Sequence, residues 1–259
     1  FPGALRTRPT VAVSDLLKPY PQYLNMFQDW TNGRKARYHT LELRAQRPFY
    51  GGMSVLAGYA YVRGTRQEFY DNVDEYDEIF TWTDLPDPRH RVNLSVVLDV
   101  PVGRDRKFGS GMPGALDAVV GGWELAGNYR YESGQYLRFN SMIAPTETPK
   151  TLGKVGAGNY WFDTTGFAVL PAFTRRANPW QYDGLKGPNY NNVDLALSKR
   201  VRLKGTSRLN FRVEAYNLLN GMNWGLPNTN INQSSFGQVL TQADAYFGRQ
   251  LQYTLRVEF

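Results

Sequence analysis

Cysteine is absent from all 259 residues of the chain. That excludes a disulfide framework, a thiolate metal site and a thiol nucleophile, while leaving the compartment open. Histidine is nearly absent too: His39 and His90 are the only two, and both fall at predicted strand ends, a poor basis for a paired metal site. So few partners assemble no nucleophile–base–acid set, so neither catalysis nor a cofactor is expected. No apolar run approaches the roughly 20 residues that a membrane-spanning helix needs, which excludes a helical membrane protein. The formal net charge is +7, but the basic residues are scattered along the chain. The densest run, Lys199-Arg200-Val201-Arg202-Leu203-Lys204, alternates with apolar residues as a strand does. It reads as interfacial basic residues near lipid headgroups rather than as a nucleic-acid site.

What the chain does have is aromatic residues, Tyr 17, Phe 14 and Trp 6, under a hydrophilic mean hydropathy of -0.49. The two facts agree if only one face of each element is apolar. The segment 247–259 makes the pattern explicit. Leu251, Tyr253, Leu255, Val257 and Phe259 alternate with Gln250, Gln252, Thr254, Arg256 and Glu258, so a strand here has one apolar and one polar face. A soluble sandwich strand can alternate in this way. Length, the terminal aromatic and recurrence along the chain favour strands of about 9–11 residues crossing an outer membrane.

The pattern recurs. Strands are predicted over Tyr20–Trp30, Arg37–Gln46, Met53–Arg63, His90–Val100, from Trp123 to Glu132, Asn191–Leu203 and Ser207–Asn217, which with the terminal strand makes eight. Asn32-Gly33, Gly51-Gly52 and Lys204-Gly205-Thr206 mark tight turns. Long connections are predicted at 64–89, 134–190 and 218–246. Together with 31–36 these fall at one end of the sheet, as the outer loops of a transmembrane barrel do. In the longest, prolines with Trp161, Phe162, Phe167 and Trp180 indicate a folded loop. The Gly- and Pro-rich connection 101–121 is long for a periplasmic turn.

Within it, Gly109-Ser110-Gly111-Met112-Pro113-Gly114 matches G-x-G-x-x-G. The dinucleotide reading needs a parallel strand–helix unit; antiparallel neighbours and an internal proline favour a flexible turn. The loop 64–89 is acidic, and Asp74, Glu75, Asp77 and Glu78 are its weak candidates for a hard cation such as Ca²⁺. Their spacing lacks EF-hand order, so a solvated outer loop is the leading reading. Tyr59, Tyr61, Trp123, Tyr129, Tyr131 and Tyr216 read as interfacial girdle aromatics ahead of sugar-stacking platforms. Arg44, Glu124, Arg130, Arg208, Arg212, Glu214 and Arg256 fall on the polar faces. So many ionisable groups cannot be buried dry, and they are expected to form a wet lumen wall or to meet a polar filling.

Several stretches resemble one family. They are Leu16-Leu17-Lys18-Pro19-Tyr20-Pro21-Gln22-Tyr23, Tyr38 to Leu43, Ala57 to Tyr61, Asp87-Pro88-Arg89-His90-Arg91, Gly121-Gly122-Trp123-Glu124-Leu125 and Gly187-Pro188-Asn189. The most specific is Phe211-Arg212-Val213-Glu214-Ala215-Tyr216-Asn217-Leu218-Leu219-Asn220, with Asn223-Trp224-Gly225 and Pro227-Asn228-Thr229 after it. They resemble the barrel end of TonB-dependent outer-membrane receptors of the Oar-like type, which carry a carboxypeptidase-regulatory-like domain. The resemblance implies an antiparallel transmembrane β-barrel, of which residues 1–259 form roughly the last third of a 22-stranded whole. It implies energy-coupled import of an unknown solute, with outer-membrane lipid, TonB and an upstream plug domain as partners. It also implies that Tyr253, Leu255, Val257 and Phe259 carry the barrel-assembly signal. The opening Phe1-Pro2-Gly3 has neither Met nor signal peptide, as expected of a mature or truncated chain. A passive or structural outer-membrane barrel and a surface adhesin are the competing expectations.

Overall fold

The computed structural model describes residues 6–21, 23, 35–68, 81–104, 106–172, 174, 176, 178–202, 207–243 and 248–259. The elements run α1 (Val13–Leu16), β1 (Ala36–Tyr50), β2 (Met53–Glu68), β3 (Thr81–Asp84), β4 (His90–Asp99), α2 (Gly114–Val120), β5 (Trp123–Glu132), β6 (Tyr190–Arg202), β7 (Arg208–Tyr216) and β8 (Gln250–Glu258). All strands join one antiparallel sheet ordered β1-β2-β4-β5-β6-β7-β8, with β3 paired to the end of β2. The sheet is not closed, and β1 and β8 are its edges. No described helix is long and apolar enough to cross a membrane.

The register turns separate alternations into two continuous faces. Residues opposite one another in an antiparallel ladder point the same way. Leu43 faces Tyr59, Tyr59 faces Val92 and Val92 faces Tyr131; further along, Leu125 faces Leu197, Leu197 faces Val213 and Val213 faces Tyr253. One surface is therefore apolar from edge to edge. On the other, Asp99 faces Glu124, Glu124 faces Ser198, Ser198 faces Arg212 and Arg212 faces Thr254. A slip of one residue at any ladder would exchange the faces of a whole strand.

Neither face is covered. Leu41, Leu43, Leu251, Tyr253, Leu255 and Val257 are each more than half exposed, and the only buried apolar residues in the described strands are Ala196 and Ala215. A sandwich would bury one face against a second sheet. The sandwich reading therefore fails.

The connections sort by end. Gly51 and Gly52, both at positive φ (61° and 81°), form the two-residue hairpin turn that only such residues make without strain. That end also receives the 100–122 connection and the end of β8. The opposite end carries the connections 69–89, 133–189 and 217–249.

The span expected over Tyr20–Trp30 lies largely outside the described residues, and Tyr20, Pro21 and Tyr23 sit in bends and a turn. Among the described residues the eighth strand is β3, inside the loop expected at 64–89. Its Thr-Trp-Thr run pairs with Arg66 and Gln67, and the Arg37 guanidinium stacks 4.3 Å from the Trp82 ring. The turn expected at 109–114 is present, with Ser110 and Gly111 in a turn that the Met112 N–H closes on the Gly109 carbonyl, and only its last residue, Gly114, enters α2. The dinucleotide motif still lacks its parallel unit, because β4 and β5 pair antiparallel.

The large buried side chains lie outside the strands. Leu137, Phe139, Met142, Phe162, Tyr182 and Leu185 of the β5–β6 connection pack with Phe236 of the β7–β8 connection. The rings of Phe139, Phe162, Phe167, Tyr182 and Phe236 meet mostly edge-to-face at 5.2–6.3 Å, the favoured geometry for aromatic pairs. Arg176, 4% exposed, donates from Nη2 to the Phe139 carbonyl (2.7 Å) and lies 3.6 Å over Trp180. The loops thus form a dry cap on one end of the sheet, as the aromatic content of 134–190 indicated.

Candidate functional site

The charged face is organised in short ion pairs along its strands. Arg130 meets Glu132 at 2.7 Å, Arg212 meets Glu214 at 2.8 Å and Arg256 meets Glu258 at 3.1 Å. Residues i and i+2 share a face of a strand, so each pair forms without leaving its own chain. Arg200 reaches across to Glu124 at 3.0 Å. All seven residues expected at the lumen wall, from Arg44 on β1 to Arg256 on β8, share this face. These pairs are half-exposed and worth about 0–1 kcal/mol each; their consequence is a wall of nearly balanced charge.

Toward the capped end, this face becomes rich in amides. A hollow of about 540 Å³ is lined by Asn93, Asn128, Arg130, Tyr190, Asn192, Asp194, Tyr216 and Gln250, among others. Asp194 Oδ1 is occupied by the Asn192 Nδ2 donor (2.9 Å) and the Asn217 N–H (2.8 Å). Arg130, already paired with Glu132, lies 5.2 Å from the centre of the Tyr190 ring. With its charges satisfied locally, the hollow offers amide and phenol groups to a neutral polar solute. Tyr216, expected in the lipid girdle, lines this hollow instead, because its partner Gln250 is on the polar face. The other five girdle aromatics share the apolar face, with Tyr61 and Tyr131 near the capped end and Trp123 near the opposite end.

A second hollow, about 410 Å³, lies between β3 and the cap, among Arg63, Trp82, Asp84, Arg89, Tyr136, Trp180 and Tyr182. Asp84 holds Arg89 at 2.8 Å, and its carbonyl accepts from Gln181 Nε2 at 2.6 Å. Arg89 and Lys186 both lie over the Tyr136 ring. Burial pushes the Tyr136 and Tyr182 phenols above their ordinary range. A phenol with a raised folded pKa keeps its proton longer in the folded cap than in the unfolded chain. Cap stability is therefore expected to be flat below about pH 10 and to fall above it. Protease sensitivity of 134–189, followed beside tyrosinate absorbance, checks this. An unchanged cleavage rate while both phenols ionise would contradict it.

Sequence reasoning missed the asparagine pegs. Asn217 and Asn220 both take φ of 50°, a left-handed conformation that asparagine tolerates better than most residues. They turn the chain out of β7, and Asn220 Oδ1 then accepts from the Arg249 N–H beside β8 (3.1 Å). Asn223 mimics a strand partner: its Oδ1 accepts from Asn191 N and its Nδ2 donates to Asn191 O. At the exit of β5, a Cβ on Gly134 would collide with the Gly187 carbonyl, and the Gly134 N–H donates to Asn189 Oδ1 at 2.8 Å. Asparagines recurring around 217–223 and Gly187-Pro188-Asn189 were the available signal, and their role is architectural.

Among the described residues no group of three or more metal-ligating side chains exists. His90 instead shares a hydrogen bond with the Tyr59 hydroxyl through Nδ1 (2.9 Å). Asp74, Glu75, Asp77 and Glu78 lie outside the described residues. Tyr253, Leu255, Val257 and Phe259 lie exposed at the β8 edge of the sheet. A family model described as "Outer membrane beta barrel domain" matches residues 2–252. No curated protein and no solved structure matches the chain.

Proposed function

The chain belongs to the outer membrane beta barrel domain family, and from that premise we propose that it forms part of the wall of a TonB-dependent receptor of the Oar-like type. Its place is the outer membrane, where the apolar face meets lipid and short turns face the periplasm. In this proposal Arg44, Glu124, Arg130, Arg208, Arg212, Glu214 and Arg256 line a lumen filled by a plug domain. The capped loops take a solute at the outer surface, and TonB couples its import to the inner membrane.

One observation supports a wall larger than these strands. β1 and β8 both run from the capped end to the short-turn end. Joining those two edges directly would make a parallel pair, whereas bacterial barrels alternate around a closed circuit of even strand number. Among the described residues, alternation calls for at least one more span between β1 and β8; a barrel of about 22 strands with a plugged lumen fits that pattern.

Depletion of solutes from the medium tests the proposal. Cells with the gene are expected to remove at least one solute that remains when either this gene or TonB is deleted. Depletion that needs the gene but survives loss of TonB makes it a passive barrel. If no solute depends on the gene while attachment to surfaces does, the adhesin reading replaces the receptor.

A further inference from the structure

The structure assigns α2 to the inner leaflet of the outer membrane: we propose that Gly114–Val120 lies in the headgroup boundary as an interfacial helix that anchors the periplasmic rim to anionic phospholipid. The inference rests on the outer-membrane family and not on the solute or its energy source.

Leu116, Val119 and Val120 stand at i, i+3 and i+4 and so share one side of the helix. All three are exposed, at 51%, 67% and 38%, and Phe108 on the approach is 56% exposed. The other side is engaged, since Asp117 Oδ1 accepts from the Arg104 N–H at 2.7 Å. No residue of α2 is buried. An aqueous periplasm would leave this apolar stripe uncovered on a connection whose neighbour at the same end, Gly51-Gly52, shows that two residues suffice.

What covers it is indicated by where it is tied. Trp123 Nε1 donates to the Val119 carbonyl at 3.1 Å, and Lys199 Nζ donates to the carbonyls of Val119 (2.8 Å) and Gly121 (2.7 Å). Trp123 and Lys199 face each other across β5 and β6 on the apolar, lipid-facing surface. The helix end is therefore hung on the lipid side of the wall, at its periplasmic margin, and its stripe continues the apolar band. Lys199, 9% exposed, is a cation on the apolar face, and it is the one tied to α2; Arg37, Arg47 and Arg63 stand on the same face at the ends of β1 and β2. The Lys199 ammonium group escapes the hydrocarbon by resting on the carbonyl end of α2. Lys107 and Arg104 add positive charge on the approach, which suits the phosphates of anionic phospholipid.

Because the chain has no native cysteine, a single label reports one position. Val119→Cys, nitroxide-labelled on the full chain folded into phosphatidylcholine–phosphatidylglycerol vesicles, is compared with Gly111→Cys, where an added side chain meets nothing within 4 Å. The label at 119 is expected to collide with oxygen several-fold more, relative to a water-soluble nickel chelate, than the label at 111. Lys107→Gln, or vesicles without phosphatidylglycerol, are expected to narrow that difference. Equal, water-like ratios at the two positions overturn the inference. So does a label at 119 shielded from both oxygen and chelate, because that means a protein covers the stripe.

Discussion

Val213→Arg is expected to remove about 2–4 kcal/mol of stability in a bilayer, while Arg212→Leu, one residue away, is expected to change it by less than about 1 kcal/mol. Val213 sits mid-strand on the apolar face between Leu197 and Tyr253. A guanidinium there has no partner within its ladder and faces hydrocarbon. Arg212 points the other way, with its side chain 40% exposed and its charge paired to Glu214. Its loss frees the Glu214 carboxylate, 19% exposed on the polar face. Denaturant titration of the two variants folded into lipid vesicles makes the comparison. Equal penalties, or a larger one for Arg212→Leu, would falsify the assignment of faces.

That contrast rests on the feature most legible in the sequence. Leu209, Phe211, Val213 and Ala215 alternate with Arg208, Asn210, Arg212 and Glu214, and a period of two leaves only a strand with unlike faces. The antiparallel pairing of β1 with β2 followed, because a two-residue turn forces its neighbours to be antiparallel. Strand ends were less legible. Pro48 suggested that β1 stopped near Gln46, yet the strand continues to Tyr50; the ladder shifts register there, and an edge strand tolerates a missing donor. β3 was hidden because four residues carry too little periodicity to stand out from a loop. The candidate site was legible as chemistry but not as shape. Alternation alone placed charges on one face, whereas the amide-lined hollow depends on Asn217 turning the chain and on Asp194 being satisfied by it.

The cap was legible only as aromatic content, since irregular backbone leaves no period to read. Its core joins Phe139 and Phe162 to Phe236 across two connections separated by β6 and β7, and that pairing is a tertiary fact. Phe139→Ala is accordingly the second large effect expected, with a loss of about 3–5 kcal/mol from the cap. Phe139 is fully buried and lies within 5.7 Å of the rings of Phe162, Phe167 and Tyr182. Its backbone also holds Trp180 through N–H and receives Arg176 at its carbonyl. The hole left by the ring is too enclosed to collapse without moving these groups. Since the described residues of the cap core all lie outside the strands, the damage is expected to stay local. Limited proteolysis of the folded chain in vesicles should cut 134–189 orders of magnitude faster in the variant, with the strands still protected. Phe162→Ala should behave alike, and the double variant should lose less than the sum, because the two rings line one cavity. Strands that become cleavable at the same rate as the loops would mean that cap and sheet unfold as one unit, and that the loops at the outer end help to hold the wall itself.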